Sequence, residues 1–319
     1  MPLILNPELP VYKLLQEECP QVLTDDHGQP SLHLLLLNLM SDKVGAELQY
    51  LRCLGTSPLS VRVDFLRQTT YRSANQNEDY LQRFYLSYPQ IQDRYYDGML
   101  ITGAPLEHIS CEDTLYWDEF CRILDWCETH VKATFCGCWG AFASVYHQFG
   151  VAKTNLDCKL SGIYEMDVLQ PDEPLLQGMG KSIHIPLSRA TDMDGKAAKE
   201  CPELVLLAQA KNGSPVLLKS RDNRFVYVTG HPEYERERLA FEFKRDSEKE
   251  KPWRISIPCN YFPQDDASRI PFDHWVAPGK QLFRNWLEYY VAKYKRGQTE
   301  PLCKEVVSVF SIQKRHFHF

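Results

Sequence analysis

The stretch at residues 131–143 constrains the fold of this 319-residue chain more than any other feature of its sequence. It opens with an apolar, β-prone run, passes through the sequence Gly-Cys-Trp-Gly at 137–140, and continues into helix-compatible residues. A strand that turns sharply into a helix, with a nucleophile at the turn, is a nucleophile elbow. The turn residue has a strained backbone, so its neighbours must be small for the strand and helix to pass closely. Gly137 and Gly140 meet this need, and we predict that Cys138 is the nucleophile.

The helix that follows Cys138 would strengthen this nucleophile. Its free amide N–H groups and the positive end of its dipole would point at the sulfur, which favours the thiolate. The chain has 11 cysteines, and a cysteine is more often a small buried hydrophobic side chain than a nucleophile. The elbow sequence distinguishes Cys138 from the others, but nucleophilic catalysis also needs a partner base.

The sequence at 225–233 supplies a candidate base. A β-prone run ends in Gly230, which places His231 and Glu233 at the carboxyl edge of the sheet, where parallel sheets carry their chemistry. An imidazole can hold and return the proton of a thiol, and a carboxylate can fix the tautomer of that imidazole. A lone histidine is more often structural, but together with the elbow it predicts a Cys138–His231–Glu233 triad. This order, Cys then His-x-Glu, is that of class I glutamine-amidotransferase-like domains.

The first half of the chain alternates between strand and helix patterns. A nearly continuous apolar run predicts a buried strand at 32–40, and leucines at helical spacing predict a following helix capped by Gly55. The other elements predicted here are strands at 61–66, 96–105 and 131–135 and a helix at 115–129. This alternation predicts an α/β fold with a doubly wound, mostly parallel sheet, either flavodoxin-like or class I glutamine-amidotransferase-like.

The second half adds shorter β-prone runs, several of them close enough together to form hairpins. The extra strands are predicted at 159–169, 203–210, 215–220 and 225–229, and the helices at 235–245 and 279–295. We expect an N-terminal arm at 1–30 that packs along the surface, a single α/β domain at 31–296 and a C-terminal tail at 297–319.

The net charge and the cysteine content indicate which binding partners and which cellular compartment to expect. The net charge of −6 and the pI near 6.0 argue against nucleic acid or an anionic membrane as a partner. No secretory signal is visible at the start, and the apolar run at 32–40 is too short to cross a bilayer. The cysteines form no spaced framework, so we expect free thiols, a cytoplasmic location and no structural metal.

Several short blocks in family order carry a likeness to known proteins. They are Leu-Leu-Asn-Leu-Met at 36–40, Asp-Gly-Met-Leu-Ile-Thr-Gly-Ala-Pro-Leu at 97–106, Cys-Trp at 138–139, Lys-Leu-Ser-Gly-Ile-Tyr-Glu at 159–165, Ser-Arg at 188–189, Val-Thr-Gly-His-Pro-Glu-Tyr at 228–234, Asn-Tyr-Phe-Pro at 260–263 and Asn-Trp-Leu-Glu-Tyr-Tyr at 285–290. With them, nearly the whole chain resembles the homoserine O-acyltransferases of the homoserine transsuccinylase type, which start methionine biosynthesis. The resemblance implies a ping-pong acyl transfer. Cys138 would carry the acyl group from acyl-CoA as a thioester, His231 would be general base and acid, and Glu233 would orient His231.

The resemblance also implies roles for residues that the sequence alone would not single out. It implies that the Trp139 backbone N–H and Lys43 stabilise the oxyanion of the tetrahedral intermediates. It further implies substrate-binding positions at Lys159, Ser188, Arg189 and Arg245. Of these, Arg245 with Lys159 nearby would meet the carboxylate of the amino acid, because a guanidinium binds a carboxylate at two points.

Specificity depends on Glu107 and on three departures from the family pattern. In this family a glutamate at that position is associated with acetyl-CoA and a glycine with succinyl-CoA, because a carboxylate repels the succinyl tail. Leu187 and Ala190 stand where the family usually has His, and His or Tyr. Phe142 stands where it tends to have Gln. These changes leave the amino-acid acceptor open.

The sequence therefore predicts an L-homoserine O-acetyltransferase. It would use acetyl-CoA as co-substrate, hold no permanently bound cofactor, act only on small molecules, and form a homodimer as the family commonly does. The alternatives, in order, are an L-serine O-acetyltransferase, a homoserine O-succinyltransferase, and a glutamine-amidotransferase-like enzyme or a non-catalytic binding protein on the same fold. Phe142 at the position of the family glutamine does not favour an amidotransferase.

Overall fold

The computed structural model describes residues 2–18, 21–71, 77–106, 108–248 and 253–295. The strands are β1 Leu3–Ile4, β2 Val22–Leu23, β3 Leu32–Leu37, β4 Val61–Leu66, β5 Tyr85–Leu86, β6 Tyr96–Ile101, β7 Val131–Gly137, β8 Lys153–Val168, β9 Ser182–Met193, β10 Leu204–Ala210, β11 Pro215–Ser220 and β12 Phe225–Val228. The helices are α1 Pro10–Glu18, α2 Lys43–Leu54, α3 Glu78–Phe84, α4 Tyr88–Ile91, α5 Trp117–His130, α6 Trp139–Phe149, α7 Gly195–Glu200, α8 Arg238–Ser247 and α9 Val276–Asn285. A π-helical turn at Trp286–Val291 continues α9.

All of these strands join one 12-stranded sheet, whose main path runs β2-β1-β4-β3-β6-β7-β12-β11-β10-β8-β9, with β5 beside β4. Every pairing from β2 to β12 is parallel. Every pairing from β12 to β9 is antiparallel. The predicted doubly wound, mostly parallel sheet with extra strands in the second half is confirmed.

Helices cover both faces of the parallel half, so most residues of β3, β6 and β7 are apolar. In β3, Leu34 and Leu36 face a core formed with α2 and α9, whereas Leu35 and Leu37 face a second core formed with α5 and α6. Because successive side chains of a strand point to opposite faces, this arrangement requires leucine at each position. It also sends the carboxyl ends of β3, β6, β7 and β12 to one edge, where the loops carry the site.

The N-terminal segment differs from its prediction. Rather than packing along the surface, β1 pairs with β4, and Leu3, Leu9 and Val11 are buried in the core shared with α2. A two-residue strand is too short to leave an alternating pattern, so the sequence did not reveal it. The proposed boundary at residue 30 stays a prediction, and the proposed tail at 297–319 lies outside the described residues.

The prediction missed one further strand, and it described the last helix as one continuous element. The sequence analysis did not predict β9, which runs antiparallel to a β8 that begins at Lys153 rather than at residue 159. In β9, Ile183, Ile185 and Leu187 alternate along the strand, but Pro186 stands among them, and a proline inside such a run argues against a strand. The helix predicted at 279–295 is α9, which starts at Val276 and gives way to the π-helical turn.

Candidate active site

The predicted elbow is present at the end of β7. Cys138 lies between β7 and α6 with φ 47° and ψ −117°, a left-handed backbone conformation that is strained for a residue with a side chain. Its amide donates a 2.7 Å hydrogen bond to the carbonyl of Val228, which ties the elbow to β12. A Cβ at Gly140 would lie 2.8 Å from the carbonyl oxygen of Thr102. The small residue beside the nucleophile is therefore required by close packing, as the sequence predicted.

The histidine loop follows the neighbouring strand β12. The Nδ1 atom of His231 lies 2.7 Å from Oε1 of Glu233, and both side chains are buried. The His231 amide donates to the carbonyl of Pro186 at 2.8 Å. Its ring stacks on Tyr234 with the centroids 4.1 Å apart. The imidazole is thus fixed in both position and tautomer by its surroundings.

The two strand ends converge beside Gly103, in the loop after β6. A Cβ at Gly103 would lie 3.6 Å from the sulfur of Cys138 and 3.7 Å from Cε1 of His231. The nucleophile and the base therefore lie against the same residue, where a Cβ would approach the Cβ of Cys138 to 3.1 Å and so leave little room for a side chain. The structure thus brings together the three residues of the predicted triad and adds Gly103, which the sequence analysis did not single out.

The electrostatics of His231 favour an ion pair with the thiol. Burial disfavours the charged imidazole, yet the negative charges of Cys138 and Glu233 outweigh it and hold the pKa of His231 well above its usual value. A protonated imidazole beside a thiolate is the resting state that a cysteine nucleophile requires.

Two groups were predicted to stabilise an oxyanion. Trp139 is the first residue of α6, and an amide in the first turn of a helix has no intrahelical partner, so it can donate to a ligand. Lys43 is the first residue of α2, and its ammonium donates to the carbonyl of Asn38 at 2.6 Å. Burial lowers the pKa of Lys43 to about 8. Its role at the reacting carbonyl stays a prediction.

A buried carboxylate lies one turn along α2 from Lys43. Glu47 accepts hydrogen bonds from the hydroxyls of Tyr80 and Tyr85. Asn38 donates to both Tyr85 and the backbone of Lys43. Burial, opposed by these hydrogen bonds, raises the pKa of Glu47 to about 7. This polar network holds the start of α2 and is a feature that the sequence did not reveal.

We expect Glu47 to make stability depend on pH. Between about 4.5 and about 7 the folded protein binds a proton at Glu47 that the unfolded chain has released, so stability falls as the pH rises through this window. The substitution Glu47→Gln should remove a decline of about 3 kcal/mol in the free energy of unfolding. Denaturant unfolding at a series of pH values measures it, with the exposed Glu17→Gln as control. Parallel curves for wild type and Glu47→Gln would contradict the assignment.

Two of the predicted substrate-binding cations converge on one carboxylate. Lys159 of β8 donates to Asp246 at 2.7 Å, and Arg245 donates to the other oxygen of the same carboxylate at 2.8 Å. The charges of both cations, with burial opposing them, lower the pKa of Asp246 to about 2. Lys159 is buried, whereas the Arg245 side chain is 37% exposed and can reach a ligand.

Ser188 and Arg189, the other two predicted substrate-binding residues, contact different parts of the structure. Ser188 donates to Glu242 at 2.5 Å, and Glu242 also accepts from Tyr234 at 2.8 Å, so Ser188 is linked to the residue that stacks on His231. Arg189 points elsewhere. Its guanidinium is fully buried, donates to Asp192 at 2.7 Å and lies over the ring of Phe142. Its role at a substrate stays a prediction.

The sequence analysis missed Glu242 and Asp246. The spacing of Arg238, Glu242 and Asp246 by four residues places them on one face of α8. That spacing was visible in the sequence, but nothing there indicated that this charged face is turned inward.

The proposed specificity residue Glu107 lies outside the described residues. Within the described part, no group of three His, Cys, Asp or Glu side chains could hold a metal ion. Nor is any described helix both long and apolar enough to cross a membrane.

Fold and site together define the class of protein. A solved structure of a glutamine amidotransferase from Methylobacillus flagellatus matches this chain with a TM-score of 0.53 at 14% identity, covering 81% of this chain and 94% of that one. The fold is therefore that of the class I glutamine-amidotransferase-like proteins, here with a Cys–His–Glu arrangement at the carboxyl ends of two neighbouring strands.

The family is narrower than this class. The model for the family described as homoserine O-succinyltransferase matches residues 2–296, and the chain belongs to this family of acyltransferases. It is 38% identical over 295 residues to a homoserine O-acetyltransferase from Geobacillus kaustophilus, covering 91% of this chain and 97% of the relative. It is also 37% identical over 312 residues to a homoserine O-succinyltransferase from Pseudoalteromonas translucida, covering 97% of each.

Proposed function

We propose that this protein is an L-homoserine O-acetyltransferase that uses acetyl-CoA and acts through an acetyl-cysteine intermediate. The convergence of Cys138 and His231 beside Gly103 carries the proposal, because it places a thiol and a histidine base together at a strained turn. Family membership and the names of its relatives support the acyl transfer to homoserine.

In the first half-reaction, the acetyl group is transferred from CoA to Cys138. The thiolate of Cys138 attacks the carbonyl carbon of acetyl-CoA, and the tetrahedral oxyanion accepts hydrogen bonds from the Trp139 amide and Lys43. When the C–S bond to CoA breaks, His231 gives its proton to the departing CoA thiolate. The acetyl group is then held on Cys138 as a thioester, and the imidazole of His231 is neutral.

The second half-reaction releases the product. The neutral His231 removes the proton from the side-chain hydroxyl of homoserine as the oxygen attacks the thioester carbonyl. The second tetrahedral intermediate collapses with loss of the Cys138 thiolate, which restores the thiolate–imidazolium pair and frees O-acetylhomoserine. The exposed guanidinium of Arg245 would bind the carboxylate of the amino acid.

The choice of donor and acceptor is tested by release of free thiol. Purified protein receives acetyl-CoA or succinyl-CoA, each with homoserine, with serine or without acceptor. We expect turnover with acetyl-CoA and homoserine, because Glu107 repels the charged succinyl tail. The substitution Glu107→Gly should raise the turnover of succinyl-CoA relative to acetyl-CoA. Turnover of succinyl-CoA alone by wild type would overturn the donor assignment.

Serine is the second candidate acceptor. Leu187 and Ala190 depart from the family pattern on β9, and Gly230 packs against Leu187 directly before His231. Release of thiol with serine but not homoserine would keep the mechanism and change the substrate.

We also propose that the protein is a homodimer in a reducing, cytoplasmic compartment. The free thiols throughout the described residues support the compartment.

A further inference from the structure

Two buried polar atoms of the residues around the triad have no hydrogen-bond partner among the described residues. Among the described residues, nothing bonds to the hydroxyl of Tyr50 or to Oε2 of Glu233, and both atoms are buried. A buried hydroxyl or carboxylate oxygen without a partner destabilises the folded state. Native proteins rarely leave such groups unpaired, so each of these two atoms requires an explanation.

The position of Tyr50 is fixed by its neighbours. It belongs to α2, is 2% exposed, and its ring packs edge-on against Phe283 of α9. A Cβ at Gly137 would lie 2.8 Å from its hydroxyl oxygen, so that hydroxyl lies directly against the residue before Cys138. Gly137 is therefore small because a tyrosine hydroxyl occupies the space beside the elbow.

The carboxylate of Glu233 also acts electrostatically on the hydroxyl of Tyr50. Burial raises the pKa of Tyr50 well above its usual value, and the carboxylate of Glu233 raises it further, ahead of the charge of Cys138. The phenol therefore keeps its proton and remains a hydrogen-bond donor. The other titratable neighbours of Tyr50 are Cys53 and Cys136.

The helix that carries Tyr50 is tied to the histidine loop. Arg52, two residues further along α2, pairs with Glu235, and Asp42 before α2 lies 3.8 Å from the guanidinium of Arg238. These contacts hold α2 against the segment that contains His231 and Glu233. The distance between Tyr50 and the carboxylate is thus set by fixed elements and does not depend on a mobile loop.

We propose that Tyr50 is a positioning residue of the triad: its hydroxyl is linked to Oε2 of Glu233 by a hydrogen bond through one water molecule. This bond fixes the rotation of the carboxylate so that Oε1 faces Nδ1 of His231. The proposal rests on the proposed function, because the triad is assigned there. It extends that assignment to a fourth residue, which acts through Glu233 and touches neither substrate.

The first test is the isosteric substitution Tyr50→Phe, measured in two ways. We expect kcat to fall about tenfold with KM for both substrates within about twofold, because orientation is lost while binding is kept. The pH midpoint for alkylation of Cys138 by iodoacetamide should rise, because a loosened Glu233 stabilises the imidazolium of His231 less. This second readout needs no substrate, so it stays informative even if the acyl donor or acceptor is wrong.

A double-mutant cycle separates a positioning role from a general loss of packing. In a Glu233→Gln background, adding Tyr50→Phe should lower kcat no further, because the two side chains act as one unit. Tyr96→Phe is the matched control. It removes another buried tyrosine hydroxyl, bonded to Asp64 at 3.1 Å at the amino end of β6, and should leave the alkylation midpoint unchanged. Additive effects of the first pair, or an unchanged midpoint in Tyr50→Phe, would overturn the proposal.

A crystal structure of the wild-type enzyme provides a test that does not depend on the variant folding. We expect the Tyr50 hydroxyl and Oε2 of Glu233 to be bonded to the same water. A structure in which the Tyr50 hydroxyl and Oε2 of Glu233 bond to separate partners would contradict the proposal.

Discussion

Replacing Cys138 with alanine is expected to lower kcat for acyl transfer by about 10⁴-fold or more, because no thioester can form. Wild-type protein given acetyl-CoA without an acceptor should gain one acetyl group in its intact mass, and Cys138→Ala should not. The strained backbone at Cys138 suits a small side chain, so the variant should remain folded.

Cys136 provides the control for this result. It is a second buried cysteine two residues earlier on β7, and its sulfur accepts a hydrogen bond from Ser144 inside the core. Cys136→Ala should keep most of the activity and should still be acetylated. Acetylation of Cys138→Ala, or loss of acetylation in Cys136→Ala with Cys138 intact, would contradict the assignment of the nucleophile.

Replacing Gly279 with alanine is expected to cost about 3 kcal/mol or more of stability, and to lower activity as well. A Cβ at this position in α9 would lie 2.1 Å from the carbonyl oxygen of Pro232, which is backbone and cannot turn aside. Pro232 stands between His231 and Glu233, so the clash must displace either the helix or the loop that carries the triad.

Denaturant unfolding and thiol release measure the two effects of Gly279→Ala. The control is Ala277→Ser, an exposed position two residues earlier on the same helix, which should change neither quantity by much. If Gly279→Ala matches wild type in both measurements, α9 does not press against the histidine loop as described. Loss of stability with full activity would show that the helix moves and the loop does not.

The triad could be predicted because each part is encoded locally. The elbow and the His-x-Glu sequence each follow a strand, and the alternation of strands and helices indicates that these strands end at the same edge of a sheet. A few adjacent residues therefore carried the information for Cys138, His231 and Glu233. The longer parallel strands, β3, β4, β6, β7 and β12, followed from the same short-range patterns, whereas the two-residue strands did not.

The supporting residues could not be predicted, because their roles arise from contacts between distant segments. The apolar spacing on α2 correctly indicated that its leucines face the core, but it did not reveal that Lys43, Glu47 and Tyr50 are buried as well. Those three side chains are covered by other elements near the site, and the polarity of Lys43 and Glu47 gave no sign of it. The strand β9 was invisible for a related reason: its polar side chains are buried by α8 and by the turn before β11.

The change from parallel to antiparallel pairing at β12 separates two tasks. The parallel half supplies the elbow and, from its last strand, the histidine, whereas Lys159 and Ser188 come from strands of the antiparallel half. Under the proposed roles of Lys159 and Ser188, a mutation in β8 would alter which hydroxyl compound is accepted without touching the strands that carry Cys138 and His231. Leu187 and Ala190 lie on β9, which also holds the His231 amide through the carbonyl of Pro186. Acceptor choice and catalytic geometry are therefore separable on β8 and coupled on β9.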